Sequence, residues 1–179
     1  MSSPTLYVLD ANVFIQAAKG YYAFDLAPKF WQQLVAYGAA GSLCTVDRIA
    51  AEINYPAELR TWVDSEFRPY VRDTDSTDTL AHYATLMQWA QGQTFTPAAR
   101  QEFATVPDAW LIAYAKGVGG TVVTHETFDA NRRNRVKIPN ARQFLGVLVV
   151  DTYGMLRSLA QILIQRFDVL RQQCAKHVC

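Results

Sequence analysis

Apolar positions along the chain alternate between two spacings. Short β-rich runs at Thr5–Leu9, Leu43–Val46 and Thr121–Thr124, and a further strand within Phe144–Val150, carry almost no polar interruption. Between them, apolar residues recur at helical intervals, as in Phe30, Trp31, Leu34 and Val35 after Pro28, or Leu59, Trp62, Val63 and Phe67 after Pro56. Helices are also expected over Leu80–Ala90, from Thr96-Pro97 towards Phe103, over Ala109–Lys116, and over a closing stretch Tyr153–Gln172. In that last stretch Met155, Leu156, Leu159, Leu163, Phe167 and Leu170 share one side. Asp47 is placed to cap a helical turn running through Glu52 to Ile53. Nearly uninterrupted apolar strands alternating with helices predict an α/β domain around a mainly parallel sheet. No internal repeat, low-complexity tract or linker divides the chain, so residues 1–179 read as one domain.

Composition narrows the function classes. Half of the 179 residues are hydrophobic and 18% are charged, which suits a globular chain rather than a disordered one. A net charge of +1 means that a nucleic-acid surface would have to be a local patch. The longest uncharged apolar runs, Ala109–Ala115 and Phe144–Val150, fall far short of the roughly 20 residues that span a bilayer. The start MSSPTLYVLD has no basic segment leading into an apolar one, so a cytoplasmic location is expected. The three cysteines, Cys44, Cys174 and Cys179, make no disulfide framework. Cys174, His177 and Cys179 crowd the C-terminus, but a structural zinc site usually wants a fourth ligand, and a tail is the simpler reading.

The candidate chemistry is acidic. Ligand sites in parallel sheets form beyond the carboxyl ends of strands, and Asp10 and Glu126 stand just past two of them. Asp108 opens a helix and Glu52 follows a short strand on a helical turn, so all four can face one edge. Taken singly, Asp10 and Asp108 would serve as turn or helix caps and Glu52 as a solvated residue. Together they suit Mg²⁺ or Mn²⁺, which favour oxygen ligands and can activate water against a phosphodiester. Asn12 and Thr124 are candidates for supporting hydrogen bonds, with local turn or cap roles equally open. Arg132, Arg133, Arg135 and Lys137 follow Glu126 closely and could meet an RNA backbone or form a solvated loop. Gly117, Gly119 and Gly120 lie between a helix and the next strand, where they read as a helix stop rather than a phosphate loop.

Four segments carry a resemblance to PIN-domain nucleases. YVLDANVFI (Tyr7–Ile15) resembles their opening strand with Asp10 as first ligand, and TVDRIAAEI (Thr45–Ile53) resembles their second motif with Glu52. PDAWLIAYA (Pro107–Ala115) resembles the third with Asp108, and VVTHE (Val122–Glu126) the fourth, a strand ending in Thr-x-acid. FWQQL (Phe30–Leu34) and KIPNARQFLGV (Lys137–Val147) fit a branch found among bacterial toxin–antitoxin toxins. The resemblance implies a three-layer α/β/α PIN-like fold with a central, mainly parallel sheet flanked by helices. It also implies an Mg²⁺- or Mn²⁺-dependent endoribonuclease, a cognate antitoxin protein and the prospect of a homodimer. Many members have Asp where this chain has Glu126, and Asp129 lies three residues on as a substitute or helper. Two other readings compete. One is a catalytically degenerate PIN-like module that binds RNA or protein. The other is an aspartate-nucleophile phosphatase, for which VLDAN would offer Asn12 where a second, proton-donating Asp is needed.

Overall fold

The computed structural model describes residues 5–20 and 22–161. Five short strands, β1 (Tyr7–Leu9), β2 (Leu43–Val46), β3 (Val71–Arg72), β4 (Thr121–Val123) and β5 (Leu148–Val150), form one sheet in the order β3-β2-β1-β4-β5. Every pairing is parallel. A parallel sheet needs a crossover between neighbouring strands, and helices supply it: α1 (Ala11–Lys19), α2 (Pro28–Ala39), α3 (Asp47–Glu52), α4 (Ala57–Asp64), α5 (Thr77–Gln91), α6 (Pro97–Thr105), α7 (Asp108–Val118) and α8 (Ile138–Leu145). Helices cover both faces, giving the expected three layers. This explains why the central strands are apolar on both sides: Val8, Leu9, Val122 and Val123 are all fully buried.

Strand order turns at β1. The chain first builds outward through β2 and β3, then returns to lay β4 on β1's other side, with Val8 beside Val122 and Leu9 beside Val123. The crevice at the carboxyl ends of β1 and β4 is therefore the topological switch point, where ligands bind in open α/β sheets. Thr45 Oγ1 donates to Leu9 O at 2.7 Å, tying β2 to the last residue before Asp10.

Around α1, α2 and α4 the core is aromatic. Phe14 sits edge-on to Phe67 at 5.4 Å and tilted towards Trp62, while Trp31 meets Trp62 edge-on at 4.9 Å. A Cβ on Gly38 would stand 2.5 Å from Tyr70 Cγ, so only glycine lets α2 approach that ring. On the other side α7 buries Leu111, Ile112, Ala113 and Ala115 completely and ends at Gly119, whose φ of 65° closes the helix before β4.

Several boundaries differ from the sequence expectations. Ala11–Lys19 forms α1, a helix beyond the sequence expectations, because Asp10 and Asn12 look like a turn. Its buried residues Ala11, Val13, Phe14 and Ala17 do follow helical spacing. Val46, not Asp47, occupies the N-cap of α3; Asp47 lies inside the first turn and accepts from Arg48 N and Thr74 Oγ1. Phe144 belongs to α8 rather than to a strand, and β5 starts only at Leu148. Residues 152–161 are helical, whereas Leu163, Phe167, Leu170, Cys174, His177 and Cys179 lie outside the described residues. No helix among the described residues is long and apolar enough to cross a membrane.

Because Phe14 is fully buried against two rings, Phe14→Ala is expected to lower stability by about 3–5 kcal/mol, with Phe14→Leu costing clearly less. Urea unfolding of both variants measures this. Equal stabilities for the two would mean that the aromatic cluster is not the core's anchor.

Candidate metal centre

Asp10 follows β1 directly and is the N-cap of α1, with extended backbone and no side-chain cap bond. Its Oδ2 is held instead from across the crevice. Thr124, at the end of β4, donates its hydroxyl to Asp10 Oδ2 at 2.8 Å, and the Asn12 amide donates to the same oxygen. Asn12 also donates to Thr124 Oγ1 at 3.0 Å and accepts from His125 N at 3.1 Å. Thr124 Oγ1 further accepts from Glu126 N at 3.1 Å. The parallel pairing of β1 with β4 thus sets Asp10, Asn12, Thr124 and the base of Glu126 as one unit. Both supporting residues picked from the sequence act on Asp10. His125 turns away, with Nε2 at 3.0 Å from Thr152 Oγ1.

Glu126 is pinned by a second contact: Ile138 N donates to its Oε2 at 2.9 Å. Asp108 is buried in the first turn of α7, just after Pro107 at the N-cap. Glu52, the last residue of α3, is exposed at the rim. Asp129 stands apart: it accepts from Asn131 N at 3.1 Å and pairs with Arg132 at 3.5 Å, as a turn residue does. Of the two candidates for the fourth carboxylate, only Glu126 is brought to the others.

Burial and mutual repulsion govern the charge here. Burial raises the Asp108 carboxyl to about 7, and the charges of Asp10, Glu126 and Glu52 add to the rise while Arg135 opposes it. Asp10 is raised to about 6, again first by burial, with the Thr124 hydrogen bond pulling down and Glu126 and Glu52 pushing up. Glu52 is also raised by burial and lowered by Arg135.

Arg135 is the cation that faces this group. Its guanidinium lies 3.9 Å from Asp108, 3.8 Å from Glu126 and 3.9 Å from Glu102 on α6. Glu102 has no distinguishing signal in the sequence, and its place in the ring follows from how α6 packs. The other three basic candidates are engaged within the loop: Arg132 with Asp129, Arg133 with Ala130 O, and Lys137 with Thr127 O. Among the described residues, no three His, Cys, Asp or Glu side chains stand close enough to grip one ion as placed. The carboxylates are arranged loosely around a guanidinium rather than as a closed cage.

The raised carboxyls carry a stability cost at neutral pH. The folded state holds protons on Asp10 and Asp108 where the unfolded chain, with pKa values near 4, has released them. Stability of the metal-free protein should therefore fall as pH rises from about 4 to about 7. Asp108→Asn removes the larger contribution. In EDTA it is expected to melt above the parent at pH 7.5, by an amount worth a few kcal/mol on the order of the shift itself, and close to it at pH 4.5. A constant difference across that range would show that burial of this carboxyl is not costly.

Comparison with solved structures matches this architecture to a chain of VapBC2 from Rickettsia felis, whose crystal structure holds a DNA fragment from their promoter. The TM-score is 0.50 at 12% identity, over 82% of this chain and 98% of that one. FitAcB from Neisseria gonorrhoeae matches at a TM-score of 0.45 and 15% identity, over 80% and 95% of the two chains. The fold is PIN-like. The comparison with curated proteins gives no match. A family model described as a domain of unknown function, DUF4411, matches residues 7–162, and the chain belongs to that family.

Proposed function

We propose that this chain is an endoribonuclease dependent on Mg²⁺ or Mn²⁺, and the toxin of a toxin–antitoxin pair. The observation that supports the reading is that Asp10, Asp108 and Glu126, with Glu52 at the rim, feel one another's charge beside the β1–β4 switch point, with too little positive charge to balance them. An all-oxygen set of this kind suits a hard divalent cation. Mg²⁺ in particular keeps several of its waters and needs only one or two direct carboxylates, so an open arrangement fits it. Asp10, Asp108, Glu126 and the rim residue Glu52 would hold it. When bound, the cation supplies charge that offsets the carboxylates and polarises a phosphodiester.

The chain's own residues do the rest. Thr124 and Asn12 orient Asp10 Oδ2, and Ile138 N orients Glu126 Oε2, so neither carboxylate has to be ordered when substrate arrives. Arg135 offsets part of the group's charge, and its loosely engaged, half-exposed head would be able to turn to an RNA phosphate. Water is the nucleophile, giving 5′-phosphate and 3′-hydroxyl ends, and the ribose 2′-hydroxyl takes no part. The toxin reading rests on the resemblance of the four acidic motifs to those of PIN-domain toxins, and the fold shared with a chain of VapBC2 is in keeping with it. It brings with it a neutralising protein partner.

Two measurements test this. End-labelled RNA should be cut with Mg²⁺ or Mn²⁺, not in EDTA, and Asp10→Asn should lower the rate by at least about a hundredfold, as loss of a central charge-stabilising group does. Products ending in 2′,3′-cyclic phosphate would rule the mechanism out. By calorimetry, Arg135→Gln should bind Mn²⁺ more tightly than the parent, by roughly threefold or more, because a competing charge is gone. The same variant should bind RNA more weakly. If neither parent nor variant takes up Mn²⁺ or Mg²⁺, the carboxylates serve another end and a non-catalytic binding module becomes the better description.

A further inference from the structure

Beside the carboxylates lies a cleft of about 260 Å³ lined by Arg48, Ala51, Glu52, Thr105, Pro107 and Trp110. It shares Glu52 with the acidic group, and Pro107 and Trp110 flank Asp108 along the chain. Its wall is a three-layer stack. The Tyr83 and Trp110 rings lie 3.8 Å apart and 16° from parallel, and the Arg48 guanidinium covers the Trp110 ring at 3.9 Å.

The stack is held from its ends. Tyr83 donates its hydroxyl to Ala104 O at 2.8 Å. Arg48 Nε donates to Thr74 Oγ1 at 3.0 Å, and Thr74, fully buried, donates onward to Asp47 at 2.9 Å. Asp75 stands 3.7 Å from the same guanidinium. An arginine so fixed still leaves its side chain 41% exposed, so a flat cation is presented to the cleft from an ordered base. Ala51 and Pro107 add apolar lining, beside Thr105 and the Glu52 carboxylate.

A flat, delocalised cation backed by an indole is a surface for a planar π-system. Unstacked bases of single-stranded RNA bind to aromatic rings and guanidinium planes in this way. We propose that the Arg48–Trp110 cleft is a nucleobase subsite. It takes one unpaired base of the RNA by stacking on Arg48, next to the phosphate presented to Asp10, Asp108 and Glu126. This rests on the RNA reading of the carboxylate site and deepens it: the substrate is single-stranded at the cut, and the subsite accepts any base, because stacking uses a face that every base has. The cleft also explains why the Tyr83–Trp110–Arg48 stack ends in an exposed guanidinium instead of a third apolar side chain.

The test uses the full chain with Mg²⁺ and a short single-stranded RNA carrying 2-aminopurine, whose fluorescence falls when the base stacks. Quenching on binding is expected with the parent protein. Arg48→Lys keeps the charge but loses the plane, and Trp110→Leu removes the backing ring. Each should abolish the quenching and weaken binding roughly 5- to 150-fold, the range for loss of one stacked base. The same RNA with an abasic nucleotide in place of the stacked one should bind the parent weakly and be indifferent to both substitutions. Melting curves and metal-binding calorimetry on each variant show that fold and carboxylate site are intact. If Arg48→Lys binds and quenches as the parent does, Arg48 is only a charge near the phosphate and the subsite is overturned, while the nuclease reading stands. If the parent itself binds no RNA with Mg²⁺ or Mn²⁺, the RNA reading falls and the subsite with it.

Discussion

The constraint on which this molecule turns is uncompensated negative charge at the carboxyl edge of its sheet. Asp108, Glu126 and Glu102 face one exposed guanidinium, Asp10 lies beside them without that contact, and the two buried aspartates hold their protons well above the usual carboxylate range. An arrangement that costs stability is retained only where the surrounding structure over-determines it. Here it does. The β1–β4 ladder fixes the backbone on both sides of the crevice, Thr124 and Asn12 close on Asp10, and Ile138 N closes on Glu126. None of these contacts neutralises charge. They orient it and leave the neutralising to something else.

Arg135 fills that role only in part, and its geometry says why. At 3.8–3.9 Å from three carboxylates it makes no close hydrogen bond with any of them, and it is open to solvent, where such pairs contribute little. Its backbone, by contrast, is well fixed. The loop after β4 is closed at its neck by Lys137 to Thr127 and by Ile138 to Glu126, tied by Asn140 to Asp129, and anchored at Arg133 O by the amide of Thr96. A guanidinium on a pinned backbone with a loosely engaged head can leave the carboxylates without the loop unfolding. Lysine could supply the charge but not the planar fork that meets a phosphate in two places.

Much of this was legible in the sequence because the acids sit on strand ends and helix starts, which pattern reading locates well. The alternation of apolar runs and the rule for parallel sheets locate Asp10 after Tyr7–Leu9 and Glu126 after Thr121–Val123, and the resemblance to PIN-domain motifs joins Asp108 and Glu52 to them as one set. Glu126 fits the Thr-x-acid ending of the fourth PIN-like motif where Asp129 does not, and in the structure Thr124 Oγ1 accepts from Glu126 N. What escaped were features set by packing rather than by period. α1 was hidden because Asp10 and Asn12 look like turn formers, although their side chains serve the crevice instead. Arg48 and Trp110 belong to segments that were read correctly as helices, yet nothing in either segment says that they stack. Glu102 reaches Arg135 only because α6 lies where it does.

The cleft and the carboxylates make different demands on a ligand, and their adjacency narrows what satisfies both. On the proposed reading the acidic group would take a cation and, through it, a phosphate, and the Arg48–Trp110 wall would take a flat, polarisable face. A free phosphate meets only the first demand and an aromatic side chain only the second. Double-stranded RNA meets the first but keeps its base faces inside the helix. An unpaired nucleotide in a chain meets both at once. Stacking also acts on the ground state and the transition state alike, so in the proposed site the wall would govern binding and the carboxylates the rate. On that reading the two parts of the site are separable by substitution: Arg48 and Trp110 would act on how tightly an unpaired strand is held, and the carboxylates on how fast it is cut.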